Sequence, residues 1–99
     1  MNEPRREVRL QIELPPEVEG GTFADFASIW HTSDTFVIDF IASKQPPQTQ
    51  KVGKTGETAR VQPAKVVSRI RIPPAQVFEI ARALTQQLDA WEKERKPDQ

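Results

Sequence analysis

"VVSRIRIPPAQVFEIARALTQQLDAW", Val66 to Trp91, changes its period in the middle. Up to Ile72 the apolar residues alternate. Val66, Ser68, Ile70 and Ile72 fall on one face, and Val67, Arg69 and Arg71 on the other, as in a strand. After Pro73-Pro74 the spacing becomes helical: Val77, Ile80, Ala81, Leu84, Leu88 and Trp91 form one stripe. Proline suits this junction, because it cannot continue a ladder and loses nothing in the first helical turn. A strand running into a long amphipathic helix fixes the class as α+β.

Upstream the chain reads as three more strands. "VRLQIEL" puts Val8, Leu10, Ile12 and Leu14 on one face and Arg9, Gln11 and Glu13 on the other. Pro15-Pro16 ends it, and Gly20-Gly21 adds a turn. "TFADFASIWH" and "TFVIDFIA" follow, joined by Thr32-Ser33-Asp34, which has the length and chemistry of a hairpin loop. Both strands carry large apolar groups on both faces. The expectation is a four-stranded, mostly antiparallel sheet with one long C-terminal helix packed on it (ββββα), spanning 7–94 as a single domain. Residues 1–6 and 95–99 are expected to be disordered. Residues 43–65, rich in proline, glycine and lysine, are expected to form a long flexible basic loop.

Size and composition narrow the function. A chain of 99 residues builds a modest core and often needs outside support. Cysteine is absent and histidine occurs once, so disulfides and common zinc clusters are excluded. Oligomerisation is the support left open. No signal-like leader and no stretch of roughly 20 apolar residues occurs, which points to a cytoplasmic protein without a membrane partner. A helix over 74–94 would be roughly 30 Å long, against roughly 23 Å for a seven-residue strand, so its end should overhang the sheet. Leu84, Leu88 and Trp91 are then the expected homodimer interface.

Catalytic readings are weak. His31 could pair with Asp34 or Asp39 for general base work, but Asp34 sits where aspartate caps a turn, and no nucleophile motif lies nearby. "KVGKTGE" resembles part of a phosphate loop, but the motif's first glycine is replaced by Gln48. No enzyme activity, cofactor or metal is expected.

Binding is the stronger expectation. Net charge is zero, yet residues 44–71 carry seven basic groups against one acid, Glu57. Phe26 and Trp30, with Val37 and Ile41, are expected to share a sheet face with Arg69 and Arg71. Rings beside guanidinium groups can hold single-stranded DNA or RNA by base stacking and phosphate contacts. The nucleic-acid-binding set would be Phe26, Trp30, Lys44, Lys51, Lys54, Arg60, Lys65, Arg69 and Arg71. The alternative is a protein-interaction or assembly subunit, in which the rings pack against the helix, a second copy or another protein.

"ADFASIWHTSDTFVIDF" and "KVVSRIRIPPAQVFEIARALTQQLDAWE" resemble a family of small prokaryotic proteins, domain of unknown function 3467, over roughly Gly21 to Glu92. The resemblance rests on the histidine-containing hairpin ending in Asp39-Phe40, on Ser68-Arg69-Ile70, and on the helix from Pro74. The family often reads Ser-Pro-Glu/Gln-His at the helix start, where this chain has Pro73-Pro74-Ala75-Gln76. The serine cap and a first-turn histidine are therefore missing. The resemblance implies no catalytic residues. The element order is also similar to the PC-four, PUR and Whirly-type single-strand binders, a likeness of topology alone.

Overall fold

The computed structural model describes residues 7–95; the terminal segments expected to be disordered lie outside them, apart from Arg95. A short 3-10 turn, Pro16–Val18, precedes five strands: β1 Phe26–His31, β2 Phe36–Ser43, β3 Gln48–Val52, β4 Glu57–Val61 and β5 Ala64–Ile72. A second 3-10 turn, Pro74–Gln76, leads into the helix α1, Val77–Arg95. The class is α+β, with an antiparallel sheet followed by a long C-terminal helix. The strands form two sheets, β1-β2-β5 and β3-β4, rather than one sheet of four.

Two departures from the sequence reading have physical causes. Val8 to Leu14 has a strand's alternation, but among the described residues no strand pairs with it. Val8, Leu10, Ile12 and Leu14 are 95, 83, 84 and 64% exposed. Periodicity reports what a segment could bury; it cannot supply a neighbouring edge. Conversely, the stretch expected as a loop folds as the β3–β4 hairpin, paired from Gln48↔Val61 to Val52↔Glu57. Its side chains are mostly polar, so no apolar period announced it. Gly53 and Gly56 take φ of 72° and 80° at the two ends of its turn, a conformation that disfavours other residues.

The central strand β2 organises the main sheet. Its register with β1 runs from Phe26↔Ile41 to His31↔Phe36, and with β5 from Phe36↔Ile72 to Ser43↔Ala64. One face carries Ile29, Ile38 and Ile70 in a row, and α1 begins over it. Val77, Ile80 and Leu84 line an apolar groove with Ile29, Ile38 and Ile72. A register shift between Phe40 and Ile41 makes Val67 an extra residue and sets Val66 opposite Ile41. Simple alternation had placed Val66 with Ile70 and Ile72.

Little of the apolar content is enclosed. Val37 is the one fully buried hydrophobic side chain among the described residues. From Ala81 to Arg95 every helical residue is exposed, because α1 leaves the sheet after its first turns. The radius of gyration is 21.0 Å, against about 13 Å for a compact domain of this length.

Candidate interaction surfaces

Register places Phe26, Ser28, Trp30, Val37, Asp39, Ile41, Arg69 and Arg71 on the face opposite α1. Asp39 lies between Ser28 on β1 and Arg69 on β5. Arg69 donates to it twice, from Nε to Oδ1 at 2.6 Å and from a terminal nitrogen to Oδ2 at 2.9 Å. Trp30 Nε1 donates to Oδ2 at 3.4 Å. The Arg69 guanidinium also sits 5.5 Å from the centroid of the Trp30 ring. Such a paired, fork-like contact is the strong form of an arginine–carboxylate bond. The hydrogen bond from Arg69 holds the Asp39 carboxyl below its ordinary range, with help from Trp30 and the nearby Arg71 charge and against partial burial. Arg69 is held correspondingly more firmly protonated by Asp39.

This arrangement bears directly on the expected stacking surface. One side of the Trp30 ring is occupied by Arg69, and the Arg69 charge is spent on Asp39. Phe26 is half-exposed at the far end of the same face. Arg71 lies at the Trp30 end, opposite Val37, while the other cations lie toward the far end: Lys44 and Lys65 flank the last pair of β2 and β5, and Lys51, Lys54 and Arg60 ride on the β3–β4 hairpin beyond. From Val37, beside Trp30, to Ser43 is six residues, or roughly 20 Å. The structure therefore separates the ring–arginine group from the basic hairpin. Lys44, Lys51, Lys54, Arg60, Lys65 and Arg71 take part in no ion pair among the described residues.

The hairpin base is anchored to the sheet. Lys44 N donates to Pro63 O at 2.9 Å, and the Gln62 side chain donates to the Gln45 carbonyl. Asp25 takes Ser43 N at 2.6 Å and so ties the entry of β1 to the exit of β2.

His31 lies on the other face, where its ring stacks on Phe36 at 5.3 Å between centroids. Asp34 accepts from the hydroxyls of Thr32 and Thr35, each at 3.2 Å, within the β1–β2 turn. Asp39 is engaged with Arg69 and Trp30. Neither aspartate is bonded to His31. Among the described residues no cluster of three or more metal-ligating side chains occurs, and no helix is long and apolar enough to cross a membrane.

A second surface runs along α1. Leu84, Leu88 and Trp91 are 66, 55 and 53% exposed. With Val77 and Ala81 they alternate in steps of four and three, the spacing of a seam between two helices. Arg95 rests on the Trp91 ring at 4.9 Å. The 3-10 turn that leads into α1 has no side-chain cap, and Pro73 occupies its cap position. Sequence reasoning grouped the face residues but missed the role of Asp39. The available signal was a lone acid between apolar neighbours, on the same face as two arginines.

The chain matches the model of a family described as "Protein of unknown function (DUF3467)" over residues 1–95, and belongs to that family. No curated protein and no solved structure matches it.

Proposed function

We propose that this member of the domain of unknown function 3467 family is a non-enzymatic, self-associating binding module whose work is protein assembly. The observation that carries this reading is excess exposed surface, on which Leu84, Leu88 and Trp91 of α1 and Val8, Leu10 and Ile12 of the N-terminal segment all lie open. The chain exposes 9651 Å², whereas a folded monomer of its 11.3 kDa would expose about 5,700 Å². The excess, roughly 4,000 Å², is several times the roughly 800 Å² that each partner commits to a standard interface. The helix seam of Leu84, Leu88 and Trp91 is the first surface a second copy would cover, by antiparallel or parallel packing about a two-fold axis.

Electrostatics favour assembly over single-strand stacking on the sheet face. Using Trp30 and Arg69 for a nucleic acid would require breaking a two-bond ion pair and uncovering the ring. Sedimentation equilibrium of the purified chain from micromolar to millimolar concentration tests the reading. A reversible dimer or larger closed oligomer is expected, and a monomer throughout would overturn it.

A second reading has its own support. Lys51, Lys54 and Arg60 of the β3–β4 hairpin take part in no ion pair among the described residues, and the hairpin carries a single acid, Glu57, which suits phosphate contacts by DNA or RNA on the hairpin itself. Anisotropy titrations with labelled single strands should then show binding that weakens steeply with added salt. Flat curves at both low and high salt would remove this reading and leave assembly standing.

A further inference from the structure

We propose that residues 8–14 are a donor strand that pairs with the open edge of β5 in a second copy of the chain. This rests on the self-association reading above and names a contact that the helix seam does not supply. The segment alternates strictly, with Val8, Leu10, Ile12 and Leu14 on one face and Arg9, Gln11 and Glu13 on the other. A half-buried strand has this pattern, yet all four apolar side chains face solvent in the single chain. Among the described residues its backbone makes no turn or loop hydrogen bond. Unpaired donors and acceptors on a strand-patterned arm are what strand addition uses.

The linker between the arm and β1 is a turned segment. Val18 N donates to Pro15 O at 3.0 Å, Glu19 N to Pro16 O at 3.3 Å and Gly21 N to Val18 O at 3.0 Å. Pro15 has φ −60° and ψ 142° immediately before the 3-10 turn. These consecutive bonds make a corner of the linker, so the arm leaves it in a set direction. The longest dimension of the chain is 79 Å. An arm with its apolar side chains exposed is available for exchange between copies, as in a domain swap.

The acceptor is present in the same chain. Within the main sheet, β1 and β5 each have one neighbour, so each presents an open edge. β5 suits the arm's two faces better. On its helix side, Ile70 and Ile72 continue the apolar row of Ile29 and Ile38, and the groove below α1 adjoins it. On the opposite side Arg71 takes part in no ion pair among the described residues, and Arg69 lies two residues away. An arm with its apolar side over the helix face would turn Glu7, Arg9, Gln11 and Glu13 to the other side, where a register that sets Glu13 beside Arg71 keeps Arg9 four residues away, and opposite charges across strands stabilise a sheet. The corresponding positions on β1 are Phe26, Ser28 and Trp30, which offer no charge. Two arms exchanged about a two-fold axis close both β5 edges at once. They would also cover part of the roughly 4,000 Å² that a monomer of this mass would not expose.

Backbone hydrogen exchange and a proline variant of the full chain test this. Gln11 is unpaired and exposed in the single chain, so Gln11→Pro leaves the isolated fold intact but removes a donor from any strand formed there. In the oligomer, the alternate amides of residues 8–14 that face β5 should exchange at least tenfold more slowly than on dilution to monomer, and whichever of Gln11→Pro and Ile12→Pro removes such an amide should weaken association at least tenfold. Gln11→Ala should do neither. The natural chain lacks cysteine, so chains carrying Gln11→Cys mixed with chains carrying Arg71→Cys should be joined by a short bismaleimide. Chains carrying Gln11→Cys mixed with chains carrying Ser28→Cys, on the other edge, should not. A dimer whose arm amides all exchange freely, or which tolerates both Gln11→Pro and Ile12→Pro, would overturn the strand exchange while leaving self-association in place. Protection of the arm in a monomer would assign it to its own sheet and overturn both.

Discussion

Replacing Leu88 with alanine separates the helix seam from the rest of the molecule. Leu88 is 55% exposed in the single chain and lies on α1 well beyond the groove over the sheet. Burying a leucine fully is worth about 1.5–3 kcal/mol, so the half still open can contribute about 1 kcal/mol when a second helix covers it. A two-fold axis repeats the loss, giving about 2 kcal/mol per dimer, or roughly a thirtyfold rise in Kd. Alanine and leucine are both strong helix formers, so helicity should not change. Sedimentation equilibrium at several loading concentrations reads the Kd, and circular dichroism checks that the helix persists. An unchanged Kd with intact helicity would refute the seam as a subunit contact.

Val37→Ala should destabilise the fold itself, because Val37 is wholly enclosed. Loss of two methyl groups and the space they leave is expected to cost about 2–3 kcal/mol and to lower the melting temperature by roughly 10 °C. Gly53→Ala should cost about 1 kcal/mol through backbone strain alone, since φ is 72° there and an added Cβ would meet nothing within 4 Å. The Asp39 carboxyl, its folded pKa depressed chiefly by Arg69, contributes stability above the ordinary carboxylate range and loses it as pH falls through the lower, folded value. Acid titration followed by thermal melting should therefore show stability declining below about pH 4. Asp39→Asn should flatten that part of the profile, and an unchanged profile would discount the ion pair.

The parts of this fold legible in the sequence are those whose partners lie nearby or whose pattern is self-sufficient. β2 was expected from Thr35 to Ala42 and runs Phe36–Ser43, because β-branched and aromatic residues fill it. The helix was legible from the double proline and the stripe from Val77 to Trp91. β1 proved shorter than its expected stretch and starts at Phe26. The β3–β4 hairpin was hidden because polar side chains leave no period, although its two glycines mark the turn. Residues 8–14 failed in the opposite way, with a clear period and no partner strand within one chain. The Trp30–Asp39–Arg69 group needed a register that spans thirty residues of sequence between Asp39 and Arg69, and local patterning does not contain it.

Light scattering on the purified chain during size-exclusion chromatography measures its molar mass in solution, independently of shape. A mass near twice 11.3 kDa, or a higher whole multiple, is expected at micromolar concentration. A single peak of 11.3 kDa that persists to millimolar concentration would rule out self-association.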